Sequence, residues 1–399
     1  MHPIRKPFLV MGTLATKQRE IDYLCDCLKR MGHEIRVRDV SLARYAGCLD
    51  GREESKIRAM ELTARAVMSE VAPLISQQIY AGVIAMGGGV GTWLAGRIMQ
   101  HLPDDLPKII LSTLPYDPRE VIGSSTTVVV PSIVDILGLN PILKAQIERA
   151  AALLTGWAGR PASPQRSAGH VVGITALGIT TSAVNSARAF LEARGYEVAA
   201  FHANGVGDDA FERFTAKGMF CAVLDLTPSA LTSQLFGGVA RHTASRLEAA
   251  GRAGIPRVIV PGGLSLVSRG PLEGLGPDDL ARPHYRQNLM FTHVRLDQAQ
   301  MRQVAEVVAA RLNPSAGPVA VVIPLHGFSS EDRPGGAIHD PEANQAFVET
   351  LAANLRAHIR VHLIDAHINT DHFAEAACKI LLDLSGAGDN TFPGESDHE

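Results

Sequence analysis

The chain reads as an α/β protein built from two tandem, doubly wound parallel-sheet domains, and three observations predict this. Short apolar runs ending in Gly, Thr, Ser or Asp alternate with segments of helical periodicity. Three blocks of the first half recur in the same order in the second. With 399 residues, 46% hydrophobic and 20% charged, the chain exceeds one ordinary core and has a globular composition.

The strands of the first half are expected at "FLVM" (Phe8–Met11), "GVIAM" (Gly82–Met86), "KIIL" (Lys108–Leu111) and "TVVV" (Thr127–Val130). Between the first two, Ile21, Leu24, Leu28 and Met31 share one face of a helix over Thr16–Met31. The second half offers "VVGIT" (Val171–Thr175), "CAVLDL" (Cys221–Leu226), "RVIV" (Arg257–Val260), "VAVVIP" (Val319–Pro324) and "RVHLID" (Arg360–Asp365). The duplication pairs "LVMGTLATKQREIDYLCDCLKRMGHEIRVRDV" with "VGITALGITTSAVNSARAFLEARGYEVAAFHA". It also pairs "IYAGVIAMGGGVGTWLAG" with "MFCAVLDLTPSALTSQLFGG", and "LPKIILSTLP" with "IPRVIVPGGL". "AGRPASPQRSAGH" (Ala158–His170) is the natural linker. The expected domains are therefore 1–165 and 166–384, with a mobile tail over 385–399. The block Gly317–Leu384 must complete one of the two sheets, and the sequence leaves open which.

The net charge of −3, with no Lys/Arg run, gives no reason to expect nucleic acid as a partner. "MHPIRKPFLVMG" has no signal-peptide pattern, and no apolar run approaches the roughly 18 residues of a membrane span. Cys25, Cys27, Cys48, Cys221 and Cys378 are odd in number and scattered, without a CxxC pair. That usage suits a reducing compartment, so a cytoplasmic protein without a metal centre is expected.

In parallel sheets, ligands bind beyond the carboxyl ends of the strands. The loops assigned to that rim in the first half are "GTLATK" (Gly12–Lys17), "GGGVGT" (Gly87–Thr92), "STLPYD" (Ser112–Asp117) and "GSST" (Gly123–Thr126). Backbone N–H groups, small hydroxyls and helix N-termini make such a mouth suitable for an anion. The candidate phosphate-binding residues are Gly12, Thr13, Lys17, Gly87, Gly88, Gly89, Gly91, Thr92, Ser124 and Ser125. Neither a Walker A sequence nor a GxGxxG fingerprint with a distal acid is present, so the glycines equally suit a tight strand–helix turn.

The second half carries more chemical side chains near its strand ends: His202, Asp225, His326, Asp332, Asp365 and His367. Hydrolytic or metal-assisted chemistry would need such groups gathered in one cleft, whereas capping a helix or bracing a turn explains each one singly. Asp365 and His367 would face the same side if their segment is extended. The aperiodic stretch Arg269–Asn288 is expected to form a lid, an interface arm or a surface loop, presenting Arg282, His284, Tyr285 and Arg286.

Taken together, "GTLATK", "GGGVGT", "PKIILSTLPYD", "SIVDILGLN", "DLTPSALTSQLFGG", "PLHGFSSEDRPGG", "HDPEAN" and "DAHIN" resemble the Tm-1-like ATP-binding domain family, UPF0261. The resemblance runs from Phe8 to Leu384. It implies two Rossmann-like domains, ATP as ligand with Mg2+ as a candidate companion, and a homodimer. The chain departs from the family pattern at Ala15, Ser265 and Ser268, where two acids and an amide are replaced, and keeps Asn288, Thr292 and Arg295. The leading reading is a nucleotide- or phosphometabolite-binding protein, with the glycine-rich loops facing an inter-domain cleft and a role as a metabolic enzyme. Two alternatives stand beside it: a non-catalytic ligand-binding or regulatory protein, and a sugar- or sugar-phosphate-processing enzyme that does not use ATP.

Overall fold

Strands that are apolar on both faces must be covered on both faces, and each half of the chain solves this in the same way. The computed structural model describes residues 6–42, 52–114, 117–160, 170–240 and 245–386. The chain divides into two compact units, Met1–Gln165 and Arg166–Glu399. Most of the expected linker (161–169) and the expected tail from residue 387 onward lie outside the described residues.

In unit 1 the elements run β1 (Phe8–Gly12), α1 (Leu14–Arg30), β2 (Ile35–Asp39), α2 (Glu53–Ser76), β3 (Gly82–Gly87) and α3 (Gly89–Met99). They continue through β4 (Lys108–Ser112), α4 (Arg119–Ile122), β5 (Val128–Pro131) and α5 (Pro141–Ala158). The sheet is parallel throughout, in the order β2-β1-β3-β4-β5. Alternation along the strands splits the core into two layers. Phe8, Val10, Ile84, Met86, Ile109 and Leu111 pack against α1 and α5. Leu9, Met11, Val83, Ala85 and Ile110 pack against α2 and α3.

Unit 2 begins with β6 (Val171–Ala176), α6 (Thr181–Glu192), β7 (Glu197–His202), α7 (Val206–Ala216), β8 (Ala222–Asp225), α8 (Ala230–Phe236), α9 (Ala249–Ala253) and β9 (Arg257–Ile259). An excursion follows through β10 (Leu266–Arg269), α10 (Pro277–Leu280), β11 (His284–Arg286) and β12 (Thr292–Arg295). The chain then returns through α11 (Gln298–Leu312), β13 (Val319–Pro324), α12 (Pro341–Asn354), β14 (Arg360–Ile364) and α13 (Asp371–Leu384). The main sheet has the order β14-β13-β9-β8-β6-β7, so the last block completes the second sheet. The strand order around β6 repeats that around β1, as the duplicated sequence blocks require.

The segment Arg269–Asn288 is corrected by the structure. Its two ends belong to a three-stranded antiparallel sheet, β10-β12-β11, through Arg269 and His284–Arg286, with the short helix α10 between them. Arg282 is spent on the carbonyl of Arg295 and the side chain of Gln300, and the Tyr285 ring lies 5.2 Å from that of His293. These strands have three or four residues each, too short for a period to show in sequence. Among the described residues no helix is long and apolar enough to cross a membrane.

Candidate functional site

The strand order of unit 1 places the switch in connection direction between β1 and β3, and the crevice beyond their carboxyl ends is where a doubly wound sheet takes its ligand. The glycines there divide into two kinds. A Cβ on Gly12 would lie 2.3 Å from the Ile21 side chain, and one on Gly87 would lie 2.9 Å from Gly91 Cα. Those two permit close packing. A Cβ on Gly88 would make only an ordinary contact, 3.6 Å from Thr113 Oγ1, and Gly89 has nothing within 4 Å. Gly88 and Gly89 keep the mouth open.

The two helix N-termini at this mouth differ. That of α1 already holds a carboxylate: Leu14 N donates to Asp39 Oδ1 at 3.0 Å, and Ala15 N donates to Ser41 Oγ at 3.0 Å. That of α3 begins at an N-cap glycine, Gly88, with no side-chain cap. The first-turn N–H groups of Gly89, Val90 and Gly91 accordingly have no side-chain acceptor among the described residues, while Thr92 N closes the turn on Gly88 O at 2.8 Å. Orphan N–H groups together with the helix dipole make this the anion-binding end.

Several sequence candidates fall away from that point. Thr92 is fully buried, with Oγ1 3.1 Å from Gly87 O and 2.6 Å from Ser112 Oγ, so it braces the turn. The Lys17 ammonium donates to the carbonyl of Ile136, and Lys17 itself breaks the helical backbone with φ −132°. Thr13, by contrast, borders it: its Cγ2 lies 3.8 Å from where a Cβ on Gly91 would stand, and its Oγ1 lies 3.1 Å from Thr16 Oγ1. Ser124 and Ser125 precede β5, which puts them at the amino edge of the parallel sheet, opposite the mouth. Ser125 Oγ lies 2.8 Å from Thr127 Oγ1 and donates to Met99 O at the far end of α3. In "STLPYD", Pro115 and Tyr116 lie outside the described residues.

In unit 2 the corresponding crevice, between β6 and β8, is filled by the unit's own loops. Ser330 N and Asn369 Nδ2 both donate to Ile179 O, at 3.0 and 2.9 Å. Asn369 Oδ1 accepts from Ala183 N at 3.3 Å in the first turn of α6, and Thr180 Oγ1 lies 2.8 Å from Thr227 Oγ1. Asp225 is not a rim carboxylate. It is 2% exposed and held by both terminal nitrogens of Arg246 at 2.6 Å. The same guanidinium binds Asp208 at 2.8 Å and Glu212 at 3.0 Å. Burial pushes the Asp208 and Glu212 carboxyls up, against the pull of Arg246. Asp332 is likewise internal: Oδ2 accepts from Phe328 N at 3.0 Å and Asn344 Nδ2 at 2.9 Å.

Of the remaining candidates, His326, Asp365 and His367 lie near one another beyond the ends of β13 and β14, and His202 lies apart on β7. His326 Nε2 and Asp365 Oδ1 meet at 2.7 Å on the surface, with side chains 56% and 88% exposed. The strand β14 ends at Ile364, so Asp365 and His367 do not share a strand face as expected. His367 Nε2 turns instead to Ser329 O at 3.0 Å, and burial lowers its pKa. His202 is exposed at the end of the edge strand β7. Among the described residues no three His, Cys, Asp or Glu side chains are grouped to hold a metal ion.

Sequence reasoning missed Asp39 and Arg246. Asp39 had a signal, as an acid closing the second strand beside a glycine-bearing first loop. Arg246 had none, because its partners come from α7 and β8, distant in sequence.

The buried His293 carries a pH dependence. It is 5% exposed, its Nδ1 lies 3.0 Å from Ser268 Oγ, and burial lowers its pKa from 6.5 to about 4. With the folded value depressed, the unfolded chain binds the extra proton between those limits. Stability from this group is therefore present above pH 6.5, falls as pH drops toward 4, and amounts to about 2–3 kcal/mol. Denaturant unfolding at pH 7.5 and 4.5 is expected to show a smaller acid loss in His293→Gln than in the native protein. Equal losses would remove His293 from the account.

The molecule is thus a tandem pair of doubly wound α/β units, one with an open helix terminus at its switch point and one with that crevice sealed. The chain belongs to the UPF0261 family: the model of its N-terminal domain matches residues 6–163, and that of its C-terminal domain matches residues 169–385. Both models carry the description "Uncharacterised protein family". A UPF0261 protein of Clostridium tetani is 31% identical, covering 96% of this chain and 99% of its own. One from Brucella suis is 32% identical over 94% of each. The ToMV resistance protein Tm-1(GCR237) of Solanum lycopersicum is 32% identical over 82% of this chain, which spans 44% of that longer protein.

Proposed function

We propose that unit 1 binds the phosphate end of a phosphorylated small molecule at the N-terminus of α3. ATP, accompanied by Mg2+, is the first candidate because of the resemblance to the Tm-1-like ATP-binding family. One observation carries the reading. At the β1/β3 crevice the α3 terminus has no cap and Gly89 has open space around it, while the neighbouring α1 terminus is already neutralised by Asp39. Ligand binding is favoured over turnover because Asp225 and Asp332 are committed to internal networks.

Thermal unfolding with Mg-ATP, ADP, tripolyphosphate and Mg2+ alone tests this. A ligand at 100 times its Kd stabilises by about 2.7 kcal/mol, a shift of several degrees. Stabilisation by the phosphorylated compounds and not by Mg2+ alone is the expected result. No shift at millimolar concentrations with any of them would overturn the proposal.

A further inference from the structure

We propose that unit 2 has a ligand site of its own, enclosed between the small antiparallel sheet and the loop 325–340, and that it takes a neutral, monosaccharide-sized polyol. This site is independent of the phosphate site of unit 1. The loop leaves the carboxyl end of β13, the edge at which parallel sheets take ligands. It then folds back over the small sheet. Ile338 is fully buried beside Leu266 of β10 and Tyr285 of β11, and its N–H closes the loop on Glu331 O at 3.3 Å. Only glycine fits the return at Gly327, where φ is +117° and a Cβ would lie 1.5 Å from Asp332 O.

The interior beneath this loop is polar and incompletely bonded. Ser329 and Asp332 are fully buried, yet Ser329 Oγ and Asp332 Oδ1 have no hydrogen-bond partner among the described residues. The same is true of Arg295 Nε, of the Tyr285 hydroxyl beside Ser330, and of His339 Nδ1, which stands 3.7 Å from Asp332 Oδ1. Buried polar groups in folded proteins are nearly always paired, because an unpaired one has given up its hydration for nothing. One such atom is an ordinary exception. Five beneath one loop mark a surface shaped for a molecule that supplies the missing partners.

Their chemistry defines its class. Arg295 and Asp332 lie 3.6 Å apart and offset each other's charge, so the ligand needs none. Asp332 Oδ1 accepts, Arg295 Nε donates, and the Tyr285 and Ser329 hydroxyls do either. The ligand must therefore present donors and acceptors side by side, as neighbouring hydroxyls do. A phosphate or carboxylate, bringing acceptors alone, would leave Asp332 Oδ1 unpaired and repelled. All five atoms are out of reach of solvent, so the loop must lift to admit the molecule and acts as its lid.

Tyr285→Phe and Ser329→Ala each delete a hydroxyl that has no partner in the free protein. Both variants are expected to melt at or above the native temperature. A fall of several degrees in either would mean that the hydroxyl is bonded within the fold, and overturns the proposal. Ligand binding is read by thermal unfolding with glycerol, D-ribose, D-xylose, D-glucose and myo-inositol at millimolar concentration. Trehalose serves as the control for general exclusion from the protein surface. At least one of the five should raise the native melting temperature beyond the effect of trehalose and slow amide exchange across residues 329–339. Each variant should need about tenfold more of that compound for the same shift. If none of the five exceeds trehalose, or if the requirement is unchanged in either variant, the proposal falls.

Discussion

Replacing Gly88 with aspartate is expected to abolish phosphate-ligand binding while leaving the protein as stable as before or slightly more so. Gly88 is the N-cap of α3, with φ −78° and ψ −161°, a backbone conformation open to any residue. A Cβ there meets only Thr113 Oγ1 at 3.6 Å. An aspartate at an N-cap accepts from the first-turn N–H groups and complements the dipole, which contributes about 0.3–1 kcal/mol. It would thus occupy with a covalently held anion the place proposed for the phosphate. The measurement is thermal unfolding with and without tripolyphosphate and Mg-ATP. The variant should melt at or above the native temperature, and the ligand-induced shift should disappear. A retained shift would place the anion elsewhere and end the α3 reading. Few substitutions separate function from folding so cleanly, because most remove a contact, whereas this one fills a space.

Replacing Arg246 with methionine is expected to cost unit 2 about 3–5 kcal/mol, the usual price of stripping the partner from buried charges. A domain stable by only about 5–15 kcal/mol would lose much of its margin. Asp208, Glu212 and Asp225 all converge on this one side chain, which is fully buried. The loss should depend on pH in a definite direction. Asp208 and Glu212 have folded-state pKa values above their ordinary 3.8 and 4.5, and removing the guanidinium pushes them further up. The folded variant then holds protons that the unfolded chain releases, so its stability is greatest at acid pH and falls as pH rises through the raised values. Urea unfolding of the native and variant proteins at pH 7.5 and 5 gives both numbers. A deficit under about 1 kcal/mol, or one unchanged between the two pH values, would mean that the network is not the keystone that its geometry indicates.

The two α/β sheets were legible because their evidence is local. "FLVM", "GVIAM" and "KIIL" are continuous apolar strands, and those occur where both faces are covered. The duplicated blocks likewise foretold a shared strand order about β1 and β6. The small β10-β12-β11 sheet was not legible. Its strands are three or four residues long and carry Ser268, Arg269, His284, Arg286 and His293, and only their pairing with one another makes them strands.

The candidate site was legible in part. "GGGVGT" marks the turn where the structure has its one uncapped helix terminus among the two at this mouth, but sequence could not divide its glycines into those that pack and those that leave space. Composition points Ser124 and Ser125 to the mouth. They lie at the opposite edge because a loop that precedes a strand in a parallel sheet opens at the amino end.

The sequence by itself determined the alternation of strands and helices, the two-fold repeat, the glycine turn and the family. These follow from near neighbours along the chain, through periodicity, turn chemistry and order. The tertiary structure alone decided which groups are available. Asp39 neutralises α1 from the next strand, Arg246 takes three carboxylates out of chemistry, and Asn369 enters the first turn of α6 from the far end of the chain. Whether a polar side chain is bound internally or left for a ligand depends on donors and acceptors brought together only by folding, and no local pattern encodes that.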